Sequence, residues 1–134
     1  AVTALPAHAR RIALVIGNDD YKHVERLRNA RNDGTAMAHA LEKAGFTVTR
    51  RQDLSRDDLF RAVDTFVATA TKDDEVVFYF AGHGVQIDAT PYLLPVDIRA
   101  ETPRQLMRDG LSLTACCYAL AFGDLTPSPT DPTR

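Results

Sequence analysis

The chain has 134 residues, a length that favours one domain with a sizeable core. Apolar residues make up 45%, charged residues 25% and the formal net charge is −2, so neither nucleic acid nor an anionic membrane is expected as a partner. No apolar run approaches the roughly 20 residues that span a bilayer. The adjacent cysteines Cys116 and Cys117 do not make a disulfide framework, which leaves the redox compartment open.

The first ten residues are interpreted as a leader or the remnant of a signal peptide. Residues 4–9 read Ala-Leu-Pro-Ala-His-Ala, similar to the Ala-x-Ala end of such a peptide, and Arg10 and Arg11 would then open the mature protein. A boundary within a disordered leader fits the same residues equally well. A periplasmic or secreted location and a cytoplasmic one therefore both stay open.

Three apolar segments have the character of strands. Residues 12–17 form a short apolar run, and residues 46–50 alternate between apolar and polar side chains. Residues 76–81 are almost continuously apolar and rich in β-branched and aromatic side chains, which is typical of a central strand buried on both faces.

Two amphipathic segments separate these strands. The first helix is predicted to begin after Asn32-Asp33, whose side-chain oxygens can cap a helix, and to end at Gly45. Its apolar face is predicted to contain Ala36, Met37, Ala40, Leu41 and Ala44. Ser55 with Asp58 resembles a capping box that opens the second helix. The order β-α-β-α-β predicts parallel strands joined by right-handed crossovers.

The pattern changes after residue 84. Residues 85–87 and 92–96 flank a turn at residues 88–91, which predicts a hairpin at the sheet edge. A short helix is expected at about residues 103–108. Residues 111–122 are apolar and fit either a strand or a helix, and the proline-rich residues 123–134 are interpreted as a disordered tail.

His83 is the candidate functional residue. It follows the strand at residues 76–81, where open α/β sheets place their sites, outside the carboxyl edge. Gly82 and Gly84 allow a tight turn and leave the imidazole open on both flanks. The alternative is a polar loop residue that happens to follow a strand.

Several motifs over residues 11–97 occur in the order and spacing of a known family. They are Ile12-Ala-Leu-Val-Ile-Gly-Asn18 with Tyr21, Leu27-Arg-Asn-Ala with Asn32-Asp33, Ala44-Gly45-Phe46, the strand with Gly82-His83-Gly84, and Tyr92-Leu-Leu-Pro-Val-Asp97. In these motifs the chain resembles the caspase-like superfamily of cysteine peptidases, and within it the bacterial metacaspase-like proteins. The resemblance implies an α/β caspase-haemoglobinase fold, a mostly parallel sheet flanked by helices, over a large-subunit-like domain at residues 11–122.

The resemblance also implies a reaction and roles for three residues. The reaction is hydrolysis of peptide or protein substrates by a Cys-His dyad, in which His83 matches the catalytic histidine. The backbone N–H of Gly84 matches the oxyanion-hole donor. Asp33 matches an acidic residue of the primary specificity pocket, which implies cleavage after Arg or Lys. A helix N-cap is the alternative role for Asp33, and the two roles are compatible.

The positions of the candidate nucleophilic cysteines differ from the family pattern. The family's cysteine follows the histidine by roughly 50 residues, after an aspartate two positions earlier. Cys116 and Cys117 follow His83 by 33 and 34 residues and lack that aspartate. If residues 111–122 form the fourth strand, both cysteines lie in its middle, ~15 Å short of the edge where His83 lies. Buried structural cysteines are therefore favoured, and a catalytically inactive caspase-like fold that acts as a binding or regulatory module is the alternative to an active endopeptidase.

Two further expectations concern calcium and oligomeric state. Many metacaspases use calcium, but Asp88, Asp97 and Asp109 lack EF-hand spacing, so solvated loop aspartates are favoured and no metal ligand is assigned. The last strand of the family fold is expected to be either missing or divergent here. Its loss would leave the strand at residues 76–81 unpaired on one side, an edge through which a homodimer could form.

Overall fold

Three parallel strands form the main sheet of the computed structural model, which describes residues 10–116. They are β1 (Arg11–Gly17), β2 (Thr47–Gln52) and β3 (Glu75–Ala81), in the order β2-β1-β3. The helices α1 (Ala30–Lys43) and α2 (Arg56–Thr69) make the two crossovers. The predicted β-α-β-α-β order, the parallel pairing and the α/β class with flanking helices are confirmed.

The centre of the described sheet is β1 rather than β3. Four consecutive residues of β1 have no exposed surface: Ala13, Leu14, Val15 and Ile16. Residues 76–81 of β3 are only half-buried, because within residues 10–116 β3 pairs with β1 alone. The prediction of a fully buried central strand at 76–81 is therefore wrong for the described sheet. The apolar run at residues 76–81 reflects the packing of both faces of β3 against other side chains. Such packing does not require that both edges of the strand be paired.

The register brings the three strands to a common end. Gly17 of β1 lies beside Gln52 of β2 and Ala81 of β3, and the amide of Asn18 donates to the carbonyl of Ala81 at 2.8 Å. The loops after β1 and β3 therefore leave the sheet at the same carboxyl edge. This is the edge at which α/β folds hold their sites.

Helix α2 contributes most of the core on one face of the sheet. Its apolar stripe of Leu59, Val63, Phe66 and Val67 is buried against side chains of β1. Burial of one such side chain contributes about 1.5–3 kcal/mol relative to exposure. The predicted start is confirmed, since the Ser55 side chain accepts a hydrogen bond from the amide of Asp58 at 3.3 Å.

Helix α1 packs on the opposite face through a different stripe from the predicted one. Its buried residues are Ala30, Gly34 and Ala38, whereas Ala36, Ala40 and Ala44 of the predicted face are exposed. The helix also begins before Asn32-Asp33, so the predicted cap is wrong. Alanine occurs on both the buried and the exposed face of this helix, so the positions of the alanines do not show which face is buried. Gly45, at a φ of +91°, follows the helix as predicted.

A smaller antiparallel sheet follows β3. It contains β4 (Gly84–Ile87), β5 (Thr90–Leu93) and β6 (Leu111–Ser112), with α3 (Pro103–Asp109) before β6. The predicted hairpin and short helix are both present. The hairpin belongs to this second sheet rather than to the edge of the main one, and its turn contains only Asp88 and Ala89, at φ values of +49° and +67°.

The described part of residues 111–122 adds no strand to the main sheet. Leu111 and Ser112 pair with β5, and residues 113–116 are helical. Four predicted regions lie wholly or partly outside the described residues: residues 1–9 of the leader predicted at 1–10, Cys117, the rest of residues 111–122 and the predicted tail. Among the helices of residues 10–116, none has the length and apolar character needed to cross a bilayer.

Candidate active site

The turn that carries His83 depends on a glycine before it. A Cβ atom on Gly82 would lie 2.7 Å from the Tyr21 hydroxyl and 2.8 Å from the Phe80 ring, closer than side chains approach one another. Only glycine fits between these two aromatic residues. Because position 82 is glycine, the backbone after β3 can pass in direct contact with the Tyr21 side chain.

The backbone of His83 belongs to a closed ring of three hydrogen bonds. The amide of His83 donates to the Tyr21 hydroxyl at 2.8 Å, and that hydroxyl donates to the carbonyl of Leu94 at 2.8 Å. The amide of Leu94 completes the ring by donating to the carbonyl of His83 at 3.0 Å. The Tyr21 hydroxyl thus acts as acceptor and donor at once, which requires it to keep its proton.

The environment of Tyr21 keeps that proton in place. Tyr21 is 2% exposed, and burial raises its pKa to about 12, although the hydrogen bond from the amide of His83 lowers the pKa. At neutral pH the phenol is therefore uncharged and can serve both partners.

The imidazole of His83 is oriented by a backbone carbonyl. Its Nε2 atom lies 2.6 Å from the carbonyl oxygen of Glu25, and the Tyr21 ring contacts it edge-on with centroids 4.5 Å apart. A carbonyl can only accept, so we assign the proton to Nε2 and the lone pair to Nδ1. The half-buried ring therefore presents Nδ1 as a base.

The loop that supplies Tyr21 and Glu25 is fixed by Asp19. Asp19 is 2% exposed, and its carboxylate accepts hydrogen bonds from the amides of Ala30 and Arg31 at 2.8 and 3.2 Å, and from the Arg31 guanidinium at 3.0 Å. It therefore caps α1, the role predicted for Asn32-Asp33. Sequence reasoning missed the roles of Asp19 and Tyr21, although Tyr21 is one of the residues that carry the family resemblance. The signal was the polar run at residues 18–21 directly after a buried strand.

Asp33 lies in the first turn of α1, at the same sheet edge as His83. Its amide donates to the carbonyl of Asn29 at 2.8 Å, and its side chain is exposed. Within residues 10–116 the Asp33 carboxylate has no hydrogen-bond or ion-pair partner. The structure therefore leaves this charge open to a ligand or to solvent.

Gly84 is the first residue of β4 and is exposed. A Cβ atom there would come no closer than 3.4 Å to the carbonyl oxygen of Tyr92, an ordinary distance. The fold itself would therefore tolerate a side chain at this position. Because Gly84 has no side chain, the backbone beside His83 stays accessible.

Cys116 lies in a different environment from His83. It is 1% exposed and belongs to the core cluster that also contains Leu14, Leu59 and Val63. The Tyr21 and Leu94 side chains, which adjoin His83, belong to a separate cluster. The structure thus assembles His83 with Tyr21 and Glu25, and it places Cys116 in the core.

The three aspartates considered for calcium do not come together. Asp88 lies at the hairpin tip, and Asp97 accepts a hydrogen bond from the amide of Arg56 at 2.9 Å. Asp109 pairs with Arg108 at 3.0 Å, which lowers its pKa. Among residues 10–116 no group of three His, Cys, Asp or Glu side chains could hold a metal ion. These residues do not fit a calcium site.

A parallel α/β sheet flanked by helices, with a histidine at its carboxyl edge, is consistent with the caspase-like fold. The comparison with protein families agrees, because residues 10–120 match the caspase domain. The chain therefore belongs to the caspase domain family.

Two mammalian proteins are similar to the chain. Mucosa-associated lymphoid tissue lymphoma translocation protein 1 from Homo sapiens is 30% identical over 95 residues, which cover 71% of this chain and 12% of that protein. Its homolog from Mus musculus is 30% identical over 95 residues, covering 71% of this chain and 11% of that protein. The chain thus spans a small fraction of these relatives, and a bacterial origin stays a prediction.

Proposed function

We propose that the chain derives from cysteine endopeptidases that cleave after Arg or Lys, with His83 as the acid-base group. The hydrogen bond from Nε2–H to the carbonyl of Glu25 carries this proposal, because it leaves Nδ1 unprotonated at the sheet edge. An imidazole held with one ring nitrogen free is well suited to proton transfer near neutral pH.

In the proposed reaction Nδ1 accepts the proton from the thiol of a nucleophilic cysteine other than the buried Cys116, and the resulting thiolate sulfur attacks the carbonyl carbon of the scissile amide. The carbonyl π electrons move to its oxygen, where the N–H of Gly84 stabilises the negative charge. Collapse of the intermediate breaks the C–N bond, and the imidazolium returns the proton to the leaving amine. Water then hydrolyses the thioester with His83 as base.

Asp33 is proposed to select the substrate side chain before the scissile bond. Its carboxylate is exposed at the edge that carries His83 and lacks a partner among the described residues. A long cationic side chain can reach such a carboxylate and form a charge-assisted hydrogen bond. Asp33→Asn is expected to reduce kcat/KM for Arg peptides by about 10- to 100-fold, with little effect on Asp peptides.

The burial of Cys116 favours a second candidate function. A thiol with 1% exposure cannot meet a substrate carbonyl, so Cys116 is not proposed as the nucleophile. In the second candidate the chain is a catalytically inactive caspase-like module. It binds peptides through the cleft beside His83 and does not hydrolyse them.

Hydrolysis of fluorogenic peptides that end in Arg, Lys or Asp separates the two candidates. The assay compares the native chain with His83→Ala, Cys116→Ala and Cys117→Ala, with and without calcium. Turnover after Arg or Lys that is lost in His83→Ala but kept in Cys116→Ala supports the endopeptidase. Turnover no greater than that of His83→Ala under every condition supports the binding module.

A second copy of the chain is the partner that we propose for β3. Within residues 10–116 β3 is paired on one side only, and residues 76–81 are apolar. The opposite edge strand, β2, carries Arg50 and Arg51, which discourage edge-to-edge pairing. Antiparallel pairing of two β3 strands would bring together no like charges, because Glu75 would lie opposite the partner's Ala81.

Sedimentation velocity over a wide concentration range tests this dimer. We expect a concentration-dependent dimer that Tyr79→Lys weakens, with Tyr79→Phe as the size-matched control. A native chain that stays monomeric at every concentration would exclude the proposed pairing, whether or not the lysine variant folds.

A further inference from the structure

The segment that carries His83 has little intrinsic rigidity. It leaves the main sheet at Ala81, whose carbonyl accepts the last hydrogen bond from the loop after β1. Glycines then stand on both sides of His83 and permit a wide range of backbone angles. Contacts from elsewhere must therefore define where the imidazole lies.

Tyr21 supplies two of these contacts. Its hydroxyl accepts the hydrogen bond from the amide of His83 at 2.8 Å, and its ring lies edge-on to the imidazole at 4.5 Å and 64°. Through the Tyr21 hydroxyl, His83 is also connected to Leu94 at the far end of the β4-β5 hairpin. One side chain thus fixes both ends of the hairpin that begins beside His83.

Tyr21 is itself held firmly enough to act as a reference point. Its amide donates to the carbonyl of Asp19 at 2.9 Å, and the next amide, of Lys22, donates to the carbonyl of Val96 at 2.8 Å. The Asp19 carboxylate in turn accepts hydrogen bonds from the amides of the first turn of α1. A continuous series of hydrogen bonds therefore connects the start of α1 to His83.

We propose that Tyr21 is a positioning residue for His83, whose hydroxyl keeps the imidazole oriented with Nε2 on the Glu25 carbonyl and Nδ1 available to a reacting group. This inference deepens the proposed function and rests on it for any effect on turnover. The orientation itself is a property of the folded chain and can be measured without a substrate.

The test uses the full chain labelled with ¹⁵N and long-range ¹H–¹⁵N spectra of its histidine rings, with His83 assigned from His83→Gln. In the native chain we expect the Nε2–H tautomer. Tyr21→Phe keeps the aromatic ring and removes only the hydroxyl. We expect the Nδ1–H tautomer of His83 to become populated and exchange of the His83 amide to accelerate about tenfold or more.

Tyr92→Phe is the matched control. It makes the same chemical change on β5, and the Tyr92 hydroxyl has no hydrogen bond to another described residue. We expect the His83 tautomer and amide exchange to match those of the native chain. If the native chain turns over peptides, Tyr21→Phe should lower kcat by up to about 100-fold and change KM less than about twofold.

The outcomes separate this inference from the proposed function. Altered His83 spectra in Tyr21→Phe without turnover in the native chain support the positioning role and contradict the endopeptidase. Unchanged spectra and amide exchange in a folded Tyr21→Phe variant overturn the positioning role, whatever the native turnover. If Tyr21→Phe does not fold, hydrogen exchange of the His83 amide in the native chain is the deciding measurement. Protection of about 100-fold or more supports the hydrogen bond from this amide to Tyr21, and exchange at the unprotected rate overturns the positioning role.

Discussion

The surroundings of His83 and of Cys116 differ in how they are built. His83 is half-exposed and held by polar contacts from two loops: the Tyr21 hydroxyl, the Glu25 carbonyl and the amide of Leu94. Cys116 is 1% exposed and lies among apolar side chains of β1 and α2. The environment of His83 allows a ligand to exchange a proton with the imidazole, whereas the core around Cys116 leaves no room for a ligand.

This difference bears on the proposed dyad, because the two side chains depend on different parts of the fold. The His83 imidazole takes its orientation from Tyr21 and Glu25 in the loop after β1, whereas Cys116 packs in the core formed by β1 and α2. A reactive cysteine needs exposure and a polar environment that stabilises the thiolate. Cys116 has the burial of a structural residue.

The largest expected effect comes from placing a carboxylate in each environment. Cys116→Asp buries a charge in the apolar core, and we expect it to lower the free energy of unfolding by about 3–5 kcal/mol. His83→Asp, at a half-exposed site, should lower it by only about 1 kcal/mol. Urea denaturation of both variants measures the contrast. Equal losses would show that the two environments are alike.

A smaller effect is expected where β1 meets α1, below the loop that orients His83. A Cβ atom on Gly17 would lie 2.6 Å from the carbonyl oxygen of Ala30 and 2.9 Å from the Cα of Arg31. These are backbone atoms, so Gly17→Ala must displace α1, and we expect a loss of about 2–3 kcal/mol in the free energy of unfolding.

Gly34→Ala is the control for Gly17→Ala. Its Cβ atom would meet the Gly17 backbone and Val15 at 3.6 Å, an ordinary contact distance. Because alanine is the better helix former, we expect a change between zero and a gain of about 1 kcal/mol. Denaturation of both variants checks the pair, and a Gly17→Ala variant as stable as Gly34→Ala would refute close packing at this edge.

Alkaline titration tests the buried phenol beside His83. Burial raises the pKa of Tyr21 to about 12 in the folded chain, against ~10 when unfolded. The native state therefore keeps a proton that the unfolded state loses between these values. The stabilisation is complete below about pH 10, and about 2 kcal/mol of it is lost as the pH rises to 12.

Urea denaturation just below pH 10 and near pH 12 measures this loss. Tyr21→Phe should lack this part of the pH dependence, whereas Tyr92→Phe should keep it. An identical pH dependence in the native chain and Tyr21→Phe would mean that Tyr21 is not the group responsible.

The smallest expected effect concerns the hairpin next to His83. Ala89 has a φ of +67°, in the left-handed region where an L-residue with a Cβ is strained. Ala89→Gly should stabilise the chain by about 0.5–1 kcal/mol. Ala36→Gly, on the exposed face of α1, should destabilise it by a similar amount. Thermal denaturation of the two variants should therefore show shifts of opposite sign.

Local sequence patterns predicted the elements but not their long-range partners. The alternation of strands and helices, the capping residue Ser55 and the turn at Gly82-His83-Gly84 follow from neighbouring residues and are present in the structure. The start of α1 was misplaced because its cap, Asp19, lies 11 residues before Ala30. No local pattern indicates such a distant cap.

The candidate site was predictable only in part for the same reason. His83 was found because glycines flank it at the end of an apolar strand. The contacts that orient His83 are separated from it by 62 residues at Tyr21 and 58 at Glu25. The position of β3 in the sheet was mistaken because apolar faces do not reveal which edges are paired.

Covalent labelling with a peptidyl-arginyl chloromethyl ketone tests most directly whether Cys116 acts together with His83 as a catalytic dyad. Such a reagent binds as a substrate does and alkylates the nucleophile, and mass spectrometry of the digested chain locates the modified residue. We predict that Cys116 stays unmodified in the folded native chain and reacts only after unfolding. Labelling of Cys116 in the native chain that disappears in His83→Ala would show that the two residues form a working dyad, and would contradict this account.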